Sequence, residues 1–217
     1  MRGADAHEYL KDSPNIVSCH FTLATTPPCA TPSNGPLTLP RLQRLRLSVK
    51  NVYRTHLLQF LTTPALEYLA ISCLFPNVFF SLAGMLGRSS CHLQHLQISD
   101  LVNLDVDGIH LILAATPDLR MLTLTGASKA IDQLLSIVAD STVLPRLRHI
   151  QIVYPASECV EASFEDAHAN QIAELLRSRS NHHTPALDFT ISINSLDTTL
   201  LPEELRHFVK IQTLPLS

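Results

Sequence analysis

The sequence predicts an α/β repeat solenoid: a curved horseshoe of strand–helix units with a parallel sheet on its concave face and helices on its convex face. Three observations predict it. A short apolar phrase recurs along most of the 217 residues. The segments between its copies carry apolar residues at helical spacing. Leu dominates the 46% apolar fraction, with 8 Phe, 4 Tyr and no Trp, which suits stacked, similar layers better than one irregular core.

The phrase is a Pro, one residue, then apolar-x-x-apolar-x-apolar. It begins as Pro14-Asn-Ile16-Val-Ser-Cys19-His-Phe21 and returns as Pro40-Arg-Leu42-Gln-Arg-Leu45-Arg-Leu47 and Pro64-Ala-Leu66-Glu-Tyr-Leu69-Ala-Ile71. Cys91-His-Leu93-Gln-His-Leu96-Gln-Ile98 follows, without a Pro at the usual place. Pro117-Asp-Leu119-Arg-Met-Leu122-Thr-Leu124 and Pro145-Arg-Leu147-Arg-His-Ile150-Gln-Ile152 come next, and a degenerate copy runs Pro185-Ala-Leu187-Asp-Phe189-Thr-Ile191. The middle apolar residues, Cys19, Leu45, Leu69, Leu96, Leu122, Ile150 and Phe189, are spaced by 26, 24, 27, 26, 28 and 39 residues. The first five intervals match the leucine-rich repeat, and the last holds an insertion of about 12 residues. The chain therefore carries about six or seven repeats.

Each phrase ends in period-two alternation, the pattern of a short strand with one apolar face. Between strands the period changes. Tyr53, Leu57, Leu58 and Leu61 share a helical face, as do Val78, Phe79, Leu82, Met85 and Leu86. The pattern recurs at Ile109, Ile112 and Leu113, then at Ile131, Leu134, Leu135 and Val138. A longer helix is expected from Phe164 to Arg179, with Ile172, Leu175 and Leu176 inward. Asp107 and Ser163 suit helix N-caps. The Pro before each strand ends the helix and biases its predecessor towards extended backbone. One unit cannot bury its own apolar face, but stacked copies can. The expected organisation is a single domain over 1–217. Regular repeats fill 10–154, and 155–217 forms an irregular last repeat and C-terminal cap in which Leu205, Phe208 and Val209 cover the last layer.

A net charge of -3 and a pI near 6.4 do not supply the broad basic field of a nucleic-acid-binding protein. Only 6 Gly occur, which leaves little material for phosphate cradles. The five Cys are odd in number and dispersed, as expected of free thiols in a reducing compartment. The first residues lack the apolar core of a secretory signal. The most apolar stretch, Leu74 to Leu86, is too short for a bilayer and is interrupted by Pro76, Asn77 and Gly84. The expectation is a soluble cytoplasmic or nuclear protein with no membrane and no nucleic-acid partner.

The positions that alternate with the strand leucines should line the concave face: Ser18, His20, Arg44, Arg46, Tyr68, Ala70, His95, Gln97, Met121, Thr123, His149, Gln151, Asp188 and Thr190. The candidate protein-binding residues among them are Arg44, Arg46, Tyr68, His95, Gln97, Met121, Thr123, His149 and Gln151, a set with the Arg and Tyr anchors that concentrate binding energy. Arg41, Arg44, Arg46, Lys50 and Arg54 form a basic cluster, suited either to an acidic segment or phosphate groups or to an ordinary charged edge. Cys91-His92-x-x-His95 lacks the four convergent ligands of a structural zinc site, and His182-His183 reads as a loop. Gly126-Ala-Ser-Lys129 lacks the second Gly and the Gly-Lys-Ser/Thr order of a phosphate loop and reads as a turn before a helix. Glu158, Glu161, Glu165 and Asp166 complement a helix N-terminus. No catalytic motif, cofactor site or metal site is expected.

The Pro14-to-Cys19 phrase, Leu37-Thr-Leu39-Pro40-Arg-Leu42 and the later Pro-x-Leu-x-x-Leu-x-Leu copies resemble the leucine-rich-repeat region of the fungal F-box-like proteins over roughly residues 10 to 195. The resemblance implies a non-catalytic role, with the repeats recruiting a protein substrate to a cullin-type ubiquitin ligase. In that family an N-terminal F-box contacts the ligase adaptor. Here the first phrase begins at Pro14 with no F-box visible ahead of it, so adaptor docking would need an F-box supplied elsewhere. Where many leucine-rich repeats place Asn or Cys after the strand, this chain has Lys50, Leu74, Leu101, Ala127 and Pro155, so another device must hold those turns. Two other readings remain: a truncated or structural fragment without independent function, and an enzyme on an α/β scaffold, which needs a motif that the sequence lacks.

Overall fold

The computed structural model describes residues 10–23, 36–50, 56–73, 77–101, 105–140, 142–153, 170–178, 190–193, 203 and 209–211. The expectations at Tyr53, Arg54, Ser163, Phe164, His182, His183, Asp188, Phe189, Leu205 and Phe208, and at the acidic run from Glu158 to Asp166, lie outside these residues.

The chain is α/β and built on a parallel sheet. Six strands follow the apolar phrases: β1 (Ser18–Leu23), β3 (Arg44–Val49), β5 (Tyr68–Cys73), β6 (His95–Leu101), β7 (Met121–Gly126) and β8 (His149–Val153). With β9 (Thr190–Ile193) and β10 (Val209–Ile211) they form one sheet in the order β1-β3-β5-β6-β7-β8-β9-β10. Every pairing is parallel, and successive phrases meet like to like: Cys19 on Leu45, Leu45 on Leu69, Leu69 on Leu96, Leu96 on Leu122 and Leu122 on Ile150. A second, two-stranded ribbon pairs β2 (Leu37–Thr38) with β4 (Leu61–Thr62).

Helices fill the gaps. They are α1 (His56–Phe60), α2 (Asn77–Ser89), α3 (Val106–Ala114), α4 (Ser128–Ala139) and α5 (residues 170–178). Their inward stripes are the expected ones: Val78, Phe79, Leu82, Met85 and Leu86 on α2, Ile109, Ile112 and Leu113 on α3, Ile131, Leu134, Leu135 and Val138 on α4, and Ile172, Leu175 and Leu176 on α5, all buried. These side chains join the strand columns Leu42-Leu66-Leu93-Leu119-Leu147, Leu45-Leu69-Leu96-Leu122-Ile150 and Leu47-Ile71-Ile98-Leu124-Ile152 in one continuous core. Burial of each such Leu or Ile is worth about 1.5–3 kcal/mol. The core thus covers one face of the sheet and leaves the alternate residues on the other.

The phrase prolines have a more specific role than helix termination. In Ser13-Pro14-Asn15-Ile16, Leu39-Pro40-Arg41-Leu42, Thr63-Pro64-Ala65-Leu66, Thr116-Pro117-Asp118-Leu119 and Leu144-Pro145-Arg146-Leu147, the fourth N–H donates to the first carbonyl at 3.1 to 3.3 Å. Pro sits second in each turn, where its fixed φ is already correct. Immediately after the turn, one carbonyl receives two N–H groups of the next unit: Val17 from Gln43 and Arg44, Gln43 from Glu67 and Tyr68, Glu67 from Gln94 and His95, Gln94 from Arg120 and Met121, and Arg120 from Arg148 and His149. This backbone ladder fastens each strand start to the one before it without side chains.

Three expectations need correction. Leu61 is buried but belongs to β4, paired with Leu37, because α1 ends at Phe60. Asp107 lies inside the first turn of α3. The N-cap is Asp105, whose extended backbone (φ -89, ψ 98) lets its carboxylate accept from the Gly108 N–H. The last phrase is displaced by two residues, since Ile191, not Phe189, pairs with Ile150. A two-residue slip keeps apolar residues on the core side, whereas a one-residue slip would reverse the faces. Val209 opens β10 and pairs with Ile191 at the end of the sheet. Among the described residues, no helix is long and apolar enough to cross a membrane.

Candidate functional site

The strand registers bring the nine candidate residues onto the sheet face opposite the core. One row runs Arg44, Tyr68, His95, Met121, His149 and Thr190 across five pairings, and the next runs Arg46, Ala70, Gln97, Thr123, Gln151 and Ser192. Thr190 takes the place expected for Asp188. Arg44 and Arg46 are exposed, while Tyr68, His95, Gln97, Met121, His149 and Gln151 are half-buried. Thr123 is the exception. Its exposure is 6%, because the neighbouring strands close over so short a side chain.

These residues form a connected strip. The Arg46 guanidinium carbon lies 5.7 Å from the centre of the Tyr68 ring, within reach of a cation–π attraction. Tyr68 meets His95 edge-on, with ring centres 4.7 Å apart and planes at 87°, the geometry that aromatic quadrupoles favour. The Tyr68 hydroxyl donates to Gln97 Oε1 at 2.8 Å, and Gln97 Nε2 donates to Ser99 Oγ at 3.4 Å. His95 Nε2 lies 3.1 Å from Thr123 Oγ1, which donates to Gln151 Oε1 at 3.4 Å. Since the single Thr123 proton is directed to Gln151, the hydrogen-bond network assigns the proton of neutral His95 to Nε2. Burial, then repulsion from His149, lowers the His95 pKa below its ordinary 6.5. The ring is therefore neutral near pH 7 and fits that network. On the core side of β1, in register with Leu45, burial pushes the Cys19 thiol up to about 12, which leaves it a protonated, weak nucleophile at neutral pH.

Cys91, His92 and His95 do not converge. Cys91 is buried, His92 turns to Asp118 with Nδ1 2.6 Å from Oδ2, and His95 turns to Thr123. Among the described residues, no group of three or more His, Cys, Asp or Glu side chains could hold a metal ion. Gly126 ends β7 and Ala127 precedes α4, the strand-to-helix turn expected from the sequence. Arg41, Arg44, Arg46 and Lys50 are all exposed, but only Arg44 and Arg46 stand within β3.

Two features escaped the sequence reading. Thr22, Ser48, Ser72 and Ser99 pair successively as a third row at the C-terminal edge of the face, and Thr125 holds the equivalent place in β7. A bulge interrupts this row: the register shifts between Ile98 and Leu101, and Asp100 adopts φ 60 with its carboxylate bonded to the Ser72 hydroxyl. The legible signal was a Ser or Thr after the last apolar residue of each strand phrase. At the other edge, His92, Asp118 and Arg146 occupy the same place in successive phrases, and Asp118 bridges the imidazole and the guanidinium. The His92 hydrogen bond and the nearby arginines hold the Asp118 carboxyl below its usual range, against a smaller opposing effect of burial.

No protein-family model matches the chain, and no curated protein is found to be similar to it.

Proposed function

We propose that the chain is a leucine-rich-repeat solenoid of about six or seven units and that its uncovered sheet face binds a protein partner without catalysing a reaction. The observation that carries this reading is the connected strip from Arg46 through Tyr68, His95 and Thr123 to Gln151. Its side chains are held by one another, so little conformational entropy would be lost on docking. It also combines Arg and Tyr anchors with polar groups on a single face of the sheet. The resemblance to F-box-like proteins makes a ubiquitin-ligase substrate the favoured partner and the cytoplasm or nucleus the favoured compartment. Contact with a cullin-ligase adaptor would require an F-box on another segment or chain.

The test is affinity capture of the tagged chain from its native cells, read by mass spectrometry, beside Tyr68→Ala/His95→Ala. Circular dichroism of both forms controls for folding. Partners retained by the parent chain and lost by the folded double variant are the expected result. Recovery of the same proteins by both forms would refute binding through this face.

A further inference from the structure

We propose that the β3 end of the open face receives an extended acidic segment of the partner, with carboxylates at alternate positions of that segment seated on Arg44 and Arg46. This rests on the reading of the face as a protein-binding surface. The two arginines are two residues apart on one strand and both are exposed, so their stems rise from the same face about 6.7 Å apart. Alternate side chains of an extended peptide have the same spacing, which matches one carboxylate to each guanidinium. Each guanidinium can grip its carboxylate with two parallel hydrogen bonds.

The surroundings favour this occupant. Arg46 is steadied against the Tyr68 ring, a contact that uses none of its N–H donors. Among the described residues neither Arg44 nor Arg46 has a carboxylate partner. His20 pairs beside Arg46 on β1 and adds no negative charge. Further along the same rows, Ala70, Gln97 and Met121 are neutral, and the Asp100 carboxylate at the C-terminal edge of the face is engaged by the Ser72 hydroxyl. Carboxylates suit this place better than phosphate. The sheet pairs β3 on both sides, so no cluster of free backbone N–H groups is open to surround a phosphate, and two separated guanidiniums match two monoanions.

The experiment measures binding of a fluorescent peptide of alternating Ser and Glu to the full chain by anisotropy, at low and moderate salt. The chain variants are Arg44→Gln/Arg46→Gln, whose exposed sites need no refolding, and Arg148→Gln, an exposed cation just before β8. The expected result is saturable, salt-weakened binding that falls about tenfold in the double variant and is unchanged in Arg148→Gln. No binding, equal binding to the double variant, or equal binding of a Ser-Lys peptide would overturn the proposal. Preferential binding of a phosphoserine peptide would reassign the site to phosphate. The capture experiment separates this proposal from the reading beneath it. Partners lost in Tyr68→Ala/His95→Ala but kept by Arg44→Gln/Arg46→Gln would overturn the acidic segment alone. If neither variant loses a partner, the binding face itself is refuted.

Discussion

Gly126→Ala should destabilise the protein strongly, although it adds only a methyl group. Gly126 closes β7 with φ 156, a backbone region costly for any residue with a Cβ. A Cβ placed there would stand 2.5 Å from the carbonyl oxygen of Leu101 and 2.6 Å from its nitrogen. Both are backbone atoms of the adjacent strand, so no rotamer change relieves the overlap. The ends of β6 and β7 would have to part, and the Ala127 N–H would lose its 2.7 Å bond to the Leu101 carbonyl. Backbone strain of about 1–3 kcal/mol and about 1 kcal/mol for the hydrogen bond give a loss of about 2–4 kcal/mol. Gly87→Ala supplies the opposite case. It lies within α2, nothing approaches its missing Cβ within 4 Å, and alanine should add about 0.5–1 kcal/mol through helix propensity. Urea unfolding of the two variants and the parent, followed by circular dichroism, reads both. A Gly126→Ala loss below about 0.5 kcal/mol, the scale of an ordinary surface change, would refute the close β6–β7 approach. A destabilising Gly87→Ala would refute the open surround of that site.

Two further predictions follow from local geometry. Asp105→Ala should cost about 1 kcal/mol by removing the α3 cap, while Ala127→Asp, at an N-cap with extended backbone and no side-chain bond, should add about as much; urea midpoints check both. For His95, an NMR titration should place the imidazole below 6.5, and His149→Gln should raise it by removing the repulsion. Because folding lowers this pKa, its contribution to stability is fully present above about pH 6.5 and is lost as the pH falls through the lowered value.

Much of the architecture was legible because the same phrase was written several times. Leu45, Leu69, Leu96, Leu122 and Ile150 meet in the sheet as their spacing required, and α2 to α4 bury the stripes that helical periodicity marks. The failures occurred where two conformations satisfy the same pattern. Leu57, Leu58 and Leu61 fit a longer helix, and only pairing with the distant Leu37 turns Leu61 into strand. Asp105 and Asp107 are both acceptable caps, and a backbone angle decides between them. Phe189-Thr-Ile191-Ser-Ile193 alternates throughout, so it offers two registers with the same inward face. On the candidate site, the rows could be read but their connections could not. The Tyr68–His95 contact and the burial of Thr123 depend on how closely neighbouring strands bring side chains some 28 residues apart in sequence.

The like-to-like pairing of the strand phrases makes the sheet a kind of ruler. Each copy of the phrase advances it by one strand spacing, about 4.8 Å, so the eight strands of the main sheet span about 34 Å. Gaining or losing a whole copy would lengthen or shorten the face by one graduation and leave every remaining side chain in its row. A change of length within the loops between copies would leave the graduations untouched. Breadth and chemistry can therefore be altered separately: the number of phrases sets how wide the open face is, while the two or three outward residues of each phrase set which groups it presents at that distance along it.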